Sequence, residues 1–570
     1  MRVPDPVGGR RVSIDAGSCR VVEGRRSTTV LIGQCLAGDD RVRAADGDPR
    51  GLMSLPGAYS AVVVGERHAV LVSDASAQFP LYTSTVANDV VFGSRAAEVA
   101  EHVGVLPDVV HLAAQIVCPL VPELLVRGTA FRRVHQLEPG TAVHLDSGGA
   151  RRLTATPLVA NEKRTLDECA EELRGCLLAA VEARASRGRL LSSDFSGGLD
   201  STSLAFLAAQ HQDEVFVVTY SQDGASVDDD LRQAELCGRL DSRFRPHVVR
   251  GNADHLPYQH WSSEADLPHP SHLAMGPTRL RASAAAAVGS ALHLVGEGGD
   301  LVLGAPLSYF VDLARRGDLS LLWRHCAAWG RLRHRSPLSL FRMSVRMATT
   351  GRRHGLTAFA RRLTSPPSGS SLPSWDEQHI TSWGTPHCDW LAPPARRALA
   401  ARLVELADED DRMDACDRAM LVQLDYAGAT QRAVRETGAV QGLDVHAPYL
   451  DSEVVRVCLS LPAHLRCDPS SPKPLLRKAL AGLVPRAVLS RRTKGDYTAT
   501  SHQGVRRNLA ALRTLLADPV AAEIGLVEPG RVREALERAA HGWETAWAPL
   551  NQVLAVELWL RGLIGGVADA

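Results

Sequence analysis

Over the first 150 residues, apolar side chains come in short runs set off by turn residues: 28–35, 58–64, 69–73, 89–93 and 141–145. Runs of this length, with Pro56-Gly57 and Pro139-Gly140 between them, predict strands rather than helices. Closely spaced strands without intervening helical patterns predict a layered antiparallel sheet. After Pro157 the period changes. Thr165 and Glu168 form a capping-box pattern, and Leu166, Cys169, Leu173, Leu177, Ala180 and Val181 then recur at helical spacing. From there strand and helix patterns alternate: strands at 190–195, 215–220, 245–250 and 291–295, helices at 200–209 and 229–240. Repeated strand-then-helix order predicts a parallel, doubly wound sheet whose ligands bind beyond the carboxyl ends of its strands. Past residue 305 the pattern is mainly helical, broken by the polar segment 364–374, which reads as a mobile loop.

Composition narrows the class. A chain of 570 residues is too long for one core, and 45% apolar residues exclude disorder as its main state. The 64 basic and 64 acidic side chains cancel, which argues against a nucleic-acid partner. Sixty of the basic residues are arginines; the only lysines are Lys163, Lys473, Lys478 and Lys494. The eleven cysteines form no CxxC pair and no zinc spacing, as expected of free thiols in a reducing cytoplasm. Neither a signal-peptide core at the start nor a bilayer-length apolar run is expected, so the reading is cytoplasmic.

Two glycine-rich motifs carry the chemistry. Ser196-Gly-Gly-Leu-Asp200-Ser201 follows an apolar strand and opens a helix. Its glycines permit a tight turn, and its N–H groups and two hydroxyls suit a phosphate. Without a GK[ST] ending it is not a Walker loop, and it resembles the PP-loop ATP pyrophosphatases. Val295-Gly-Glu297-Gly-Gly-Asp300 ends another strand. Alone it would read as a turn; paired with the first motif, it predicts a Mg²⁺ held by Asp200 and Asp300 against ATP phosphates.

With these motifs the chain resembles the asparagine synthetase family over nearly its whole length. His446-Ala-Pro-Tyr-Leu-Asp451 is similar to its PFLD segment, Arg491-Arg-Thr-Lys494-Gly-Asp to its late lysine segment, and Leu55-Pro-Gly-Ala-Tyr59, Leu71-Val-Ser-Asp74 and Pro80-Leu-Tyr82 to its front domain. The resemblance implies an α+β, Ntn-type glutaminase-like domain of layered antiparallel sheet over 1–155 and a linker over 156–164. It implies an α/β synthetase domain, with a doubly wound parallel sheet and a helical extension, over 165–570. It also implies ATP contacts from Phe195, Ser196, Gly197, Gly198, Leu199, Asp200, Ser201, Val218, Val295 and Gly296. Glu297 would orient or deprotonate an attacking amine, and Lys494 would stabilise charge on the adenylate, a role suited to a compact ammonium.

The departures are informative. The chain begins Met1-Arg2-Val3 and its first cysteine is Cys19, so the N-terminal cysteine nucleophile of a glutamine-hydrolysing member is not expected. Asp444 and His446 replace the family's Glu and Arg, which suggests a reshaped acceptor pocket, and Leu301 replaces the acidic residue after Asp300. An amine from the substrate itself then implies ring closure or ligation. Retained Glu297 and the readings DFSGGLDSTSLAFLA, HAPYLD and RRTKGDYT look like the lasso-peptide macrocyclases, which join an Asp or Glu side chain of a peptide to its N-terminal amine. That resemblance implies a precursor peptide as substrate, with a leader peptidase and a leader-binding protein as partners. The alternatives are a β-lactam synthetase-like cyclase, a glutamine-hydrolysing asparagine synthetase if the start is misassigned, and a non-catalytic peptide-binding scaffold.

Overall fold

The computed structural model describes residues 12–568 apart from 14–18, 46–47, 67, 87–88, 118–120, 127, 147–148, 154–157, 159–163, 186–189, 224–228, 262–264, 366–378, 381–382, 384–387, 410–412 and 492–497. Two sheets form the front of the molecule. The first runs β10 (Gly149–Leu153), β9 (Ala142–Asp146), β5 (Ala69–Val72), β4 (Gly57–Gly65), β3 (Ser27–Cys35), β2 (Cys19–Glu23), antiparallel throughout. The second runs β1 (Val12–Ser13), β7 (Asp89–Gly93), β6 (Tyr82–Val86), β8 (His135–Gln136), with only the β1–β7 pair parallel. Val30, Ile32, Val62 and Leu71 of the first sheet bury against Leu81, which precedes β6, and Val90 and Phe92 of the second. The opposite face of the first sheet covers a separate cluster containing Leu31, Val63, Val70, Val42 and Leu52. Alternate residues of each strand therefore serve two cores, as a strand period of two requires.

The third sheet runs β13 (Phe244–Gly251), β12 (Val215–Gln222), β11 (Leu191–Asp194), β14 (Leu292–Leu294), β15 (Asp444–His446), all parallel. Its order reverses at β11, so the ends of β11 and β14 flank a topological switch point, the usual place for a ligand in an open α/β sheet. The capping box forms as its residues suggest: the Thr165 N–H donates to Glu168 at 2.9 Å, and the helix Leu166–Ala185 follows. The expected linker at 156–164 and the polar loop at 364–374 fall largely outside the described residues.

The two halves are not separate bodies of core. Helices Ala96–Val103 and Val109–Val117, inserted in the front half, bury Val99, Leu112 and Ile116 in the same cluster as Leu550, Val556 and Trp559 of the last helix. Asp266 of the back half accepts from the Ala96 and Ala97 N–H groups at 2.8 and 2.9 Å, capping a front helix across the junction. Among the described residues, no helix is long and apolar enough to cross a membrane.

Candidate functional site

The first glycine motif is the turn from β11 into the helix Leu199–Ala208. Gly197 has φ +67°, and a Cβ there would lie 2.6 Å from the Ala234 nitrogen, so only glycine suits the position. The turn is tied by its own serines: Ser196 Oγ and Ser201 Oγ lie 3.1 Å apart, and the Gly198 N–H donates to Ser196 Oγ at 3.2 Å. Phe195 and Val218 are core side chains; the Phe195 N–H donates to the Val218 carbonyl at 2.8 Å, and Thr219 Oγ1 donates to the Phe195 carbonyl at 2.6 Å. Leu199 lies half-buried at the helix start.

The second motif folds directly onto the first. The Val295 N–H donates to the His446 carbonyl of β15 at 2.9 Å, which starts the bend. A Cβ on Gly296 would lie 2.8 Å from the Ser201 nitrogen, and one on Gly299 2.6 Å from Asp200 Cγ. Gly298 has φ +82° and packs on Leu450. The glycines of the second motif therefore let its backbone come within contact of Asp200, and Asp300 follows one residue later.

Both carboxylates converge on one nitrogen. Lys473 Nζ contacts Asp200 Oδ2 and lies 2.7 Å from Asp300 Oδ1. Burial alone would lower the Lys473 pKa, but the two carboxylates outweigh it and hold the ammonium above its ordinary value. Lys473 sits in the left-handed region (φ 51°) just before the helix Pro474–Ala479. The spacing of the motifs does not point to it, and the only sequence signal is the rarity of lysine. Arg491, which opens the late lysine segment without an expected role there, is a second member: Nη1 donates to the Ser196 carbonyl at 3.1 Å, and Nη2 pairs with Asp229 at 3.0 Å and Asp230 at 2.5 Å. Lys494 lies outside the described residues.

Asp200 and Asp300 converge on the Lys473 ammonium, and with that ammonium displaced they could hold a Mg²⁺ that draws its remaining ligands from phosphate oxygens and water. Among the described residues no three His, Cys, Asp or Glu side chains group to hold a metal ion.

Glu297 is half-buried in the same bend. Its charge acts on Tyr426, whose phenol is raised first by burial and then by Glu297. Tyr426 belongs to the helix Ala415–Ala439 and lines a cavity of about 1620 Å³ between the front sheets and the back half. Asp444 lines the same cavity, whereas His446 is buried. Of the two substitutions expected to reshape a pocket, only Asp444 reaches it. His446 instead joins a buried chain. Arg184 Nε donates to His446 Nδ1 at 2.9 Å, and its two terminal nitrogens clamp Asp451 at 2.7 Å each. Burial and then the neighbouring guanidinium lower the His446 pKa, so the neutral ring donates from Nε2 to Asp444 at 2.8 Å. Burial would raise Asp444, but the His446 hydrogen bond, Arg435 and Gln34 hold it low.

Residues 172–561 match the family model for asparagine synthase. The chain belongs to the asparagine synthase family. Its members are ATP-dependent, AMP-forming amide ligases, and the matched span contains both glycine motifs, Lys473 and Arg491 but none of the front sheets. No curated protein matches the chain. Two solved structures are similar at 12% identity: the allosteric regulatory enzyme of purine biosynthesis, covering 43% of this chain with a TM-score of 0.17, and glutamine phosphoribosylpyrophosphate amidotransferase from B. subtilis complexed with ADP and GMP, covering 42% with a TM-score of 0.16. In each case the chain spans 64% of the other's length. Neither likeness carries weight for the asparagine synthase fold.

Proposed function

We propose that the protein adenylates an Asp or Glu side chain of a precursor peptide and closes it onto the peptide's N-terminal amine, releasing AMP and pyrophosphate. The observation that carries this reading is the convergence of Asp200, Asp300 and Lys473 at the switch point, with Glu297 in the same bend; Tyr426, which feels the Glu297 charge, lines a cavity larger than the ~300–1,000 Å³ of small-ligand pockets. Cavity size also favours a peptide over the small amino acid of a β-lactam synthetase-like cyclase. An Ntn-type ancestry for the front sheets fits the same reading, as do a cytoplasmic setting and a leader peptidase and leader-binding protein as partners.

In this mechanism the N–H groups of the Ser196–Ser201 turn and helix start hold the phosphates of ATP. Asp200 and Asp300 would hold a Mg²⁺ in place of the Lys473 ammonium, and the ion would supply charge neutralisation at the phosphate oxygens. The substrate carboxylate attacks the α-phosphorus, the bond to the bridging oxygen breaks, and pyrophosphate leaves. Lys473 stays within reach of that leaving charge. Glu297 accepts the proton of the attacking amine, and Lys494 steadies the oxyanion as the amide forms and AMP departs. Holding the reacting ends together lowers the entropic cost of closing the ring.

Incubation with ATP and candidate linear peptides tests the proposal by pyrophosphate release and a product lighter by one water. Equal release by wild type and Asp300→Ala defeats the enzymatic reading and leaves a binding scaffold. Glutamine-dependent ammonia release would return the protein to ordinary asparagine synthesis.

A further inference from the structure

Three consecutive helices, Leu319–Arg333, Pro337–Thr349 and Arg352–Thr364, carry ten arginines, with no Asp or Glu between residues 319 and 364. The whole chain is neutral, so the rest of it is net acidic and this segment is a local pole of positive charge. The third helix turns its arginines onto the molecule. Arg352 Nη1 donates to the Leu406 and Glu409 carbonyls at 2.7 and 2.8 Å, and Arg353 pairs with Asp408 at 3.1 Å. Arg362 Nη2 donates to the Trp383 carbonyl at 2.5 Å. The first two helices differ. Arg324, Arg331, Arg342 and Arg346 are exposed, and among the described residues no ion pair reaches any of the four. Arg324 and Arg331 stand seven residues apart and Arg342 and Arg346 four apart, spacings that put each pair on one helix face.

Large apolar side chains lie among these charges. The two helices bury Leu322, Cys326, Leu340 and Met347, yet leave Leu319, Trp323, Leu332 and Leu338 47%, 47%, 53% and 45% exposed. Trp323 meets Phe341 edge-on with ring centroids 5.8 Å apart, which joins the apolar surface of one helix to that of the other. Leu338 stands four residues before Arg342 and shares its face. A single exposed leucine needs no explanation. Four large apolar groups set among unpaired guanidinium groups on two adjoining helices form a patch of the kind that meets a partner.

The single sign of its charge says what that partner is. A specific protein interface is oriented by charges of both signs at discrete positions, and these helices offer one sign only. A nucleic acid matches the sign, but its phosphate backbone gives exposed leucines nothing to pack on. A leaflet with anionic headgroups supplies both halves of the match. Its phosphates form a plane of negative charge, and the acyl boundary beneath takes tryptophan and leucine. Arginine suits such a surface, because its stem lies along apolar groups while its planar head reaches a phosphate.

We propose that the helices Leu319–Arg333 and Pro337–Thr349 dock the protein peripherally on an anionic lipid surface. Arg324, Arg331, Arg342 and Arg346 meet headgroup phosphates, and Leu319, Trp323 and Leu338 enter the boundary with the acyl chains. The inference is independent of which substrate the glycine motifs serve.

Sedimentation of the full chain with vesicles tests it, using phosphatidylcholine alone and an equimolar mixture with phosphatidylglycerol. Wild type should pellet with the mixture and stay in solution with phosphatidylcholine, and raised salt should release it. Changing any one of Arg324, Arg331, Arg342 and Arg346 to Gln should weaken binding roughly fivefold, the effect of one charge near an anionic surface. The variant with all four changed should not pellet. Trp323→Ala combined with Leu338→Ser keeps every charge and should weaken binding roughly tenfold through lost apolar contact. Melting curves check that each variant folds, and glutamine at these exposed helix positions preserves helix propensity. The proposal is overturned if wild type pellets with neither vesicle or with both alike. It is equally overturned if either the fourfold or the apolar variant, folded, pellets as wild type does. Loss in the fourfold variant alone, with duplex DNA or poly-glutamate bound as tightly as the mixed vesicles, would assign the face to a polyanion instead of a lipid surface.

Discussion

Lys473 shows what a single residue does at this site. It brings an ammonium between Asp200 and Asp300, two carboxylates that would otherwise face each other across the switch point. Lys473→Met should remove that cation and lower ATP-dependent pyrophosphate release by roughly a hundredfold or more, the scale seen when a preorganised charge clamp is removed. Steady-state release assays check it, and turnover within a few-fold of wild type would exclude Lys473 from the chemistry. Lysine to arginine at 473 should not restore the rate, because a planar fork cannot place one nitrogen between two carboxylates in the same way. The motif residues Asp200, Glu297 and Asp300 were legible in the sequence because each lies in a glycine-rich turn at a strand end. Lys473 was not, since 273 residues separate it from Asp200 and no local spacing rule joins them. Arg491 is legible only as part of the late lysine segment, without a role, because its partners Ser196, Asp229 and Asp230 are brought to it only by the folded sheet.

At the scale of elements, the longer strands and the alternation after Thr165 were readable from periodicity, with ends shifted by a residue or two. The helix Val109–Val117 was not: its sequence, VVHLAAQIV, is apolar almost all round, and that pattern does not separate a buried helix from a buried strand. β15 is three residues long and carries too little pattern to be seen, yet it closes the sheet edge beside the second motif. What anchors it is the Arg184 clamp. Arg184 and Asp451 are 0% and 3% exposed at the side chain, so Arg184→Met should strand a buried carboxylate and cost about 3–5 kcal/mol in a denaturant titration. A loss under 1 kcal/mol would mean that Asp451 finds another partner. Gly299→Ala probes the contact between the two motifs. Its Cβ would lie 2.6 Å from Asp200 Cγ and must push that carboxylate off Lys473. Displacement on this scale should cost roughly a hundredfold in turnover while the melting temperature stays near that of wild type.

For the molecule as a whole, the front and back halves share a helical core and both line the large cavity between them, and the carboxylates at their junction report on how closely the halves pack. Asp425, on the back half, accepts from Gln136 Nε2 of β8 at 2.8 Å. Burial is the largest influence on it and outweighs Arg432 and the Gln136 hydrogen bond, raising its pKa to about 7. Asp266, which caps the front helix Ala96–Val103, is also raised by burial despite the two N–H groups it accepts from. A carboxyl group whose pKa is higher in the folded than in the unfolded state binds its proton preferentially when folded. Its contribution is therefore complete below about pH 4 and is lost as pH rises towards the folded value. The Asp425 contribution should fall between about pH 4 and pH 7, opposite in direction to that of Asp194, which Arg281 and His293 hold low against its burial and whose contribution is lost only in stronger acid. Asp425→Asn removes the titration, and its amide oxygen can still accept from Gln136. Across that window, urea midpoints of wild type should drop relative to the variant as pH rises. A constant difference between the two would place the Asp425 proton outside the energetics that join the halves, and the burial of this junction would then be looser than its hydrogen bonds imply.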